Sequence, residues 1–425
     1  MPSLTSSANH SWRVNHAILG VLFCGACMGE QPIDIDIVIL GGGIAGLWSL
    51  NQLRNQGYSA VLLESEALGS QQTIASQGMI HGGLKYALSG AWGGGSDAIS
   101  GMPDAWRECL RGSGKVDLRG ARILSEDFYM WSDGDLQSRL GSFFASKLLR
   151  GRIEKLQRSH FPAPLRNSGF SGQVYRLLDM VMDMPSVIET LADRQRDAIF
   201  SVDWSQSSLL QVGGNARVQL PGCELRPQRL LLTAGIGNET LIRQLGGQSP
   251  QMQRRPLQQI IVKHDYPEPF YAHCIGSNPS PRLTISSHKT LNGDPVWYLG
   301  GDLATEHTAY SPEKLIALAQ LELRQLLPWI DFGASEWSTI TLDRAEPKQS
   351  ALLRPDRAFV GKVDSVDNAF ACWPTKLSLS PDLANEIDRS LAKDNITPRF
   401  QPDMTVLQHL PRPGIAPTCW DTCFQ

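Results

Sequence analysis

The sequence predicts an α/β protein in which a domain built on a parallel sheet is joined to an α+β domain built on an antiparallel sheet. Two observations predict this fold class. Residues 33–64 read in order as strand, glycine turn, helix, strand and acidic residue, which is the order of a Rossmann-like first crossover. Residues 250–345 read instead as short strands separated by turn residues, the pattern of an antiparallel sheet.

The first strand covers residues 33–40 (IDIDIVIL), where β-branched and apolar residues predict a buried strand. The turn at residues 41–46 (GGGIAG) follows directly and opens an apolar helix. We expect Gly41 to permit the tight turn and Gly43 to let a diphosphate approach the backbone. We expect Gly46 to let the helix pack closely on the sheet.

The start of this predicted helix is the expected anion site. The amides of Ile44 and Ala45, together with the positive end of the helix dipole, would face the diphosphate. Glu64 ends the second strand, where its carboxylate could accept hydrogen bonds from both ribose hydroxyls. The same charge would repel a 2′-phosphate, which argues against NADP. The alternative is a tight glycine turn that binds no ligand.

Composition restricts the classes of protein that the chain can be. A chain of 425 residues can bury a large core and predicts about two domains. The net charge of −3 argues against a nucleic-acid surface, and we see no apolar run long enough for a membrane span. The eight cysteines lack metal-ligand spacing, so we expect reduced thiols, no metal site and a reducing, cytoplasmic location.

Residues 1–30 precede the first strand, and we expect them to form a disordered extension. Met28 stands just before the first strand, as a natural start would. The alternative is a weak signal peptide, because Arg13 precedes a short apolar segment at residues 17–23.

A second segment rich in small residues follows Glu64. Residues 73–86 read TIASQGMIHGGLKY, and their small and hydroxyl-bearing side chains would allow a flat ring and its phosphates to approach the backbone. This segment resembles the second flavin-contacting motif of the D-amino-acid oxidase superfamily of FAD enzymes. Its second half is most similar to the branch of glycerol-3-phosphate dehydrogenases and L-2-hydroxyglutarate dehydrogenases. The resemblance implies FAD as cofactor, contacted by Thr73, Ser76, His81 and Gly82; a plain glycine-rich loop is the alternative.

Two later segments resemble other cofactor-contacting parts of the same superfamily. A buried strand at residues 229–233 is followed by small residues and a helix, and the resemblance implies that Ala234 and Gly235 lie against the cofactor. Residues 374–381 lead from a strand into another helix, whose N-terminus would stabilise negative charge on reduced flavin. The residues expected at the flavin there are Lys376, Leu377 and Ser378. The sequence Trp-Pro-Thr at residues 373–375 replaces the glycines usual in this motif.

These segments predict a discontinuous domain organisation. We expect an FAD-binding domain of residues 31–90, 176–245 and 346–395, a substrate domain of residues 91–175 and 246–345, and an irregular Pro-rich tail of residues 396–425. Within the substrate domain, helical spacing predicts a helix at residues 136–156 and a β-rich run predicts a strand at residues 123–131.

The predicted activity follows from the number of nucleotide modules. We find one glycine turn after a strand, which disfavours reductases that also bind NAD(P)H. FAD would then be the single redox centre, taking a hydride at flavin N5 from a small polar substrate, with a hydroxy acid or polyol phosphate favoured. Oxygen, a quinone or a protein would accept the electrons. The alternatives are an amine or D-amino-acid oxidase on the same scaffold, and a flavin-binding protein without catalysis.

His81 and Arg354 are the candidate catalytic residues. His81 is expected near the flavin, and an ordinary histidine pKa of about 6.5 suits a base or a hydrogen-bond donor. Arg354 offers a bidentate fork for a carboxylate or phosphate. The alternatives are a structural histidine beside Gly82 and a surface ion pair between Arg354 and Asp356. Weaker candidates are Arg254, Arg255 and His273.

Overall fold

The computed structural model describes residues 31–82, 95–132, 153–276, 278, 280–348 and 357–424. These residues form two eight-stranded sheets, a three-stranded sheet and nine α-helices. This architecture confirms the predicted fold class, an α/β protein with a Rossmann-like sheet and a second sheet of mainly antiparallel strands.

The first sheet contains the glycine turn. Its five central strands are parallel to one another, in the order β19, β12, β1, β2 and β9 across the sheet. Their carboxyl ends therefore meet at one edge of the sheet. The strands are β1 (Gln31–Leu40), β2 (Ala60–Glu64), β9 (Ile199–Ser201), β10 (Ser208–Val212), β11 (Asn215–Leu220), β12 (Cys223–Leu232), β18 (Phe359–Lys362) and β19 (Ala369–Trp373).

Burial on both faces explains the apolar run at residues 37–40, which ends β1. Side chains alternate across a strand, so Ile37 and Ile39 enter one core and Val38 and Leu40 enter another. The first core lies under α1 and its neighbours α4 and α8. The nine helices are α1 (Ile44–Asn55), α2 (Gly95–Ser100), α3 (Met102–Leu110), α4 (Met184–Arg194), α5 (Asn238–Gln244), α6 (Asp302–Thr305), α7 (Pro312–Leu326), α8 (Ser380–Lys393) and α9 (Cys419–Cys423).

The second sheet is antiparallel except where β14 pairs with β5. One face packs against α7, with Ile260 and Val262 meeting Leu315 and Leu323. The opposite face carries polar side chains and faces the 75–81 segment. The strands are β5 (Phe128–Ser132), β6 (Ile153–Lys155), β7 (Gln173–Leu177), β13 (Met252–Lys263), β14 (Ala272–Ile275), β15 (Pro281–Lys289), β16 (Pro295–Gly300) and β17 (Glu336–Pro347).

A small three-stranded sheet lies where the chain passes between the two large sheets. It consists of β3 (Met79–Ile80), β8 (Met180–Met182) and β4 (Ile123–Ser125), with β8 in the middle and antiparallel to both neighbours. Because β8 follows β7 after two residues, the chain leaves the second sheet and enters this small sheet almost directly.

Three secondary-structure predictions need correction. Residues 133–152, most of the predicted helix 136–156, lie outside the described residues, but Ile153–Lys155 is a strand because it pairs with β7. The predicted strand 123–131 is two strands, β4 and β5, in different sheets. The predicted irregular tail contains helix α9, whose Trp420 is buried with its ring centroid 4.1 Å from that of His288.

Candidate active site

The glycine turn lies at the carboxyl edge of the first sheet, against the end of β12. Gly41 has a φ of +110°, and a Cβ built on it would lie 2.6 Å from the Cα of Ala234. A Cβ on Gly46 would overlap the carbonyl oxygen of Gly41. The turn therefore packs so tightly on itself and on Ala234 that only glycine fits at these two positions.

Gly43 has more space than its neighbours. Among the described residues, a Cβ on Gly43 would meet only the Thr73 hydroxyl oxygen, at 3.1 Å. Gly43 precedes α1, and the amide of Ile44 donates to the same Thr73 oxygen over 3.1 Å. The Thr73 hydroxyl hydrogen can still be donated to an anion. This cradle, with the next amide at Ala45, fits a diphosphate close to bare backbone.

Glu64 is held in the same turn by two backbone amides. One carboxylate oxygen accepts from the Gly42 amide at 2.5 Å and the other accepts from the Glu66 amide at 2.8 Å. Burial raises the pKa of Glu64, while the two amide donors oppose that rise. Each carboxylate oxygen has a second lone pair, so the arrangement can also accept ribose hydroxyls.

Ser76 carries a buried hydroxyl that could bond to a bound group. Its hydroxyl oxygen is buried and has no hydrogen-bond partner among the described residues. A buried hydroxyl without a partner is costly, so such groups are usually satisfied by water or ligand. Ser76 lies in the segment that carries Thr73, and both fit the polar part of FAD.

The ends of β12 and β19 complete the edge. Gly235 has a φ of +57°, and a Cβ built on it would lie 3.5 Å from the side-chain amide nitrogen of Gln72. Beyond β19, Leu377–Leu379 forms a short 3-10 turn that contacts β3, and the indole of Trp106 donates to the Ser378 carbonyl over 3.1 Å. The structure thus brings residues 41–46 together with Glu64, Thr73 and Ala234. Lys376 precedes the turn that contains Leu377 and Ser378, and this turn lies beside β3, which is within the 73–82 segment.

His81 follows β3 near the end of the 73–82 segment and is buried against the second sheet. Its Nδ1 lies 3.0 Å from a carboxylate oxygen of Asp179. The other oxygen of Asp179 accepts from the Gly82 amide at 2.8 Å. Side-chain exposure is 9% for His81 and 7% for Asp179, so the pair is shielded from water. The sequence alone did not point to Asp179.

His273 on β14 lies against His81 from the second sheet. The two rings stack with centroids 5.5 Å apart and planes inclined by 26°, and Nδ1 of His273 lies 2.8 Å from the Thr284 hydroxyl. Phe128 packs against both rings. His273, a weaker candidate from sequence, is therefore at the site, because it lies on the sheet face that meets residue 81.

Polar side chains continue across this sheet face. The Gln77 amide donates to the Tyr298 carbonyl over 2.8 Å, and the Tyr298 hydroxyl donates to the Ala75 carbonyl over 2.9 Å. The segment that carries Ser76 and His81 is thus bonded to the second sheet along its length. Burial raises the pKa of Tyr298 well above its usual value, so its hydroxyl stays protonated and can donate.

The other candidates do not join His81 in the part of the chain that the structure describes. Arg354 is outside the described residues. Arg254 is half exposed and pairs with Glu239, and Arg255 pairs with Glu346, so neither joins His81. No group of three or more His, Cys, Asp or Glu side chains suited to a metal ion occurs in the described part of the chain. Among the helices described, none is both long and apolar enough to cross a membrane.

Comparison with known proteins finds relatives along most of the chain. The family described as "DAO: FAD dependent oxidoreductase" matches residues 36–328. The Pseudomonas aeruginosa protein named "Probable FAD-dependent oxidoreductase PA4991" is 47% identical over 396 residues, covering 93% of this chain and 99% of the relative. The crystal structure of PA4991 has a TM-score of 0.79 at 42% identity, covering 92% of this chain and 99% of that chain.

More distant solved structures share the fold alone. Glycine oxidase from Geobacillus kaustophilus has a TM-score of 0.61 at 14% identity, covering 88% of this chain and 97% of its own. The L-alpha-glycerophosphate oxidase of Mycoplasma pneumoniae, with FAD bound, has a TM-score of 0.61 at 13% identity, covering 88% and 98%. The shared fold therefore does not choose between amine and hydroxyl substrates.

Proposed function

The chain belongs to the DAO family of FAD-dependent oxidoreductases, and from that premise we propose that it oxidises a small polar substrate at a carbon bearing a hydroxyl group. It is an enzyme, and FAD is its cofactor. A hydroxy acid or a polyol phosphate is the favoured substrate, and an amine or D-amino acid is the alternative.

Different groups of the predicted cofactor residues would bind different parts of FAD. Residues 41–46 and Thr73 would bind the diphosphate, and Glu64 would bind the ribose. Ala234 and Gly235 would lie against the cofactor beside them. His81 and Gly82 would lie at the flavin ring, and residues 376–378 would stabilise its reduced form through the start of α8. When bound, FAD supplies at N5 the acceptor for the hydride that leaves the substrate carbon.

The observation that carries the proposal is the placement of His81. It is a buried residue of the predicted cofactor-contacting segment 73–82, it stacks on His273 of the second sheet, and its Nδ1 lies within hydrogen-bond distance of Asp179. A substrate hydroxyl must lose its proton as the adjacent C–H bond breaks and the carbonyl forms. In this proposal His81 takes that proton and acts as the general base.

Two features support a hydroxyl substrate over an amine. An uncharged amine already carries the lone pair that assists loss of hydride, whereas an alcohol needs a base, and a carboxylate-paired histidine is suited to that role. The sequence from Ile80 to Tyr86 also resembles the glycerol-3-phosphate and L-2-hydroxyglutarate dehydrogenase branch. We propose Arg354 as the anchor for the carboxylate or phosphate of the substrate, because a guanidinium binds such groups through two hydrogen bonds.

The electron acceptor that completes the cycle would be oxygen, a quinone or another protein. The sequence offers one dinucleotide turn, which FAD occupies in this proposal, so a nicotinamide acceptor is not favoured. We propose a reducing, cytoplasmic compartment, because the eight cysteines are scattered along the sequence without metal-ligand spacing.

An anaerobic substrate screen tests the proposal. The FAD-loaded enzyme is mixed without oxygen with sn-glycerol 3-phosphate or L-2-hydroxyglutarate, and in parallel with glycine, D-alanine or iminodiacetate. We expect a hydroxy compound to bleach the flavin absorbance and to yield the corresponding carbonyl product. Bleaching by the amino compounds alone would instead support the amine alternative, and bleaching by none of them would contradict the favoured substrates.

A further inference from the structure

We propose that Asp179 is a positioning residue for proton transfer, which holds His81 in the tautomer whose Nε2 can accept a proton. The inference rests on the proposed function, in which His81 is the general base. Asp179 itself would touch neither substrate nor cofactor and would act only through the histidine. It lies in the two-residue connection between β7 and β8, where the chain passes from the second sheet to the small sheet.

The register of two short strands sets Asp179 opposite His81. Met79 pairs with Val181 and Ile80 pairs with Met180 in the antiparallel ladder of β3 and β8. Extending the ladder by one residue at the end of β3 places residue 81 opposite residue 179. At the other end, the Met182 amide donates to the Gly78 carbonyl over 2.8 Å. The pairing of β3 with β8 therefore brings the Asp179 carboxylate next to the His81 ring.

The hydrogen bonds of Asp179 determine the protonation of the ring. One carboxylate oxygen accepts from the Gly82 amide at 2.8 Å, and the other lies 3.0 Å from Nδ1 of His81. An ionised carboxylate has no hydrogen to donate, so Nδ1 must carry the hydrogen of this bond. In the neutral ring, Nε2 then carries the lone pair and is the nitrogen that can accept a proton.

Packing holds the orientation that the carboxylate selects. The ring of His273 stacks on His81 with a centroid distance of 5.5 Å, and the Phe128 ring meets it edge-on at 6.1 Å. The stacked ring limits tilting, and the bond to Asp179 limits rotation about the Cβ–Cγ bond. The direction of Nε2 is therefore set by groups on both sides of the site.

Asp179→Asn is the informative substitution, because it keeps the shape of the side chain. Its amide oxygen can still accept from Gly82, and its amide nitrogen would then donate to Nδ1 of His81. The neutral ring would be forced to carry its hydrogen on Nε2, which is the wrong tautomer for a base acting at that atom. The fold should tolerate this change better than Asp179→Ala, which leaves the Gly82 amide without an acceptor.

Nitrogen NMR of the holoenzyme, labelled with the nitrogen isotope in its histidine rings, measures the tautomer of His81 without any substrate. Spectra are recorded at about pH 9, above the ordinary histidine pKa of about 6.5, and His81→Ala identifies the signal of His81. We expect the Nδ1–H form in the native enzyme and the Nε2–H form in Asp179→Asn. Asp183→Asn is the matched control, since Asp183 follows β8 but pairs with Arg122, and it should leave the signal unchanged. An unchanged signal in Asp179→Asn would overturn the inference.

Single-turnover flavin reduction then tests whether the tautomer matters. With the compound that bleaches the flavin fastest, Asp179→Asn should slow reduction by about 10²–10⁴-fold at unchanged FAD content. In the His81→Ala background the same substitution should add no further slowing, because it acts through the missing ring. An equal further loss in that background would show a structural role and overturn the inference. If His81→Ala alone leaves reduction unchanged, the proposed function fails instead, whatever the NMR result.

Discussion

The indole nitrogen of Trp373 donates a hydrogen bond to the carbonyl oxygen of Gly235 over 3.0 Å. Trp373 ends β19 and Gly235 follows β12, so this bond joins the two neighbouring strand ends at the cofactor edge of the first sheet. Here the chain carries tryptophan, proline and threonine where the resembling superfamily has glycines. In this chain a tryptophan side chain therefore links the ends of β12 and β19.

We expect Trp373→Phe to loosen this edge. The substitution keeps most of the buried ring but leaves the Gly235 carbonyl without its donor, which costs about 1–3 kcal/mol of unfolding free energy. Both the thermal midpoint of the apoprotein and its affinity for FAD should fall. Trp329→Phe is the matched control, because its indole donates to the Pro164 carbonyl over 2.7 Å beside the second sheet. The control should lose stability but keep its FAD affinity, and an equal loss of FAD affinity in both variants would contradict this role.

Gly43→Ala separates the cofactor role of the glycine turn from its role in folding. A Cβ there would meet only the Thr73 hydroxyl among the described residues, so the apoprotein should unfold within about 1 kcal/mol of the native chain. FAD affinity should fall at least tenfold, because the methyl group stands where the diphosphate approaches. Equilibrium titration with FAD measures the effect, and Gly414→Ala, which meets no atom within 4 Å, is the control. Undiminished affinity would place the diphosphate elsewhere.

Glu64→Ala should weaken FAD binding by about 10–100-fold, the value of one or two hydrogen bonds to a charged group. Part of that loss would come from the Gly42 amide, which donates to Glu64 and would lose its acceptor. Glu64→Gln keeps an oxygen for Gly42 but loses the charge, so its loss should be smaller. FAD retained on gel filtration measures both variants. Full retention by Glu64→Ala would remove Glu64 from the ribose contact.

The stability of the protein should fall in acid, and His288 is one of the buried histidines that cause this, with His264. Burial lowers the pKa of His288 to about 3. Below a pH of about 6.5, His288 is therefore protonated in the unfolded chain but stays neutral in the folded chain. From pH 7 to pH 5 this costs about 2 kcal/mol of unfolding free energy. His288→Gln should reduce that pH dependence by the same amount in chemical unfolding. His409→Gln, at an exposed position, should not, and identical pH dependence in both variants would contradict the assignment.

Elements with a strong local signal could be predicted from the sequence. The first strand, the glycine turn and α1 follow from burial on both faces and from a turn that only glycine permits at residues 41 and 46. The antiparallel strands of the second sheet are also separated by turn residues in the sequence.

Contacts that depend on register between distant strands could not be predicted. The His81–Asp179 pair joins residues 98 positions apart through strands of two and three residues, and no periodicity reveals such a pairing. Ile153–Lys155 has helical spacing in the sequence, yet it becomes a strand because β7 offers an edge to pair with. The burial of Trp420 in the tail depends on a surface that only the assembled second sheet provides.

The rate of anaerobic flavin reduction in His81→Ala tests the central claim most directly. The variant should bind FAD to the same content as the native enzyme, because the diphosphate and ribose contacts lie in residues 41–46, Glu64 and Thr73. With the hydroxy compound that reduces the native enzyme, loss of the general base should slow flavin bleaching by about 10²–10⁴-fold. Bleaching at the native rate, with FAD bound, would contradict the account.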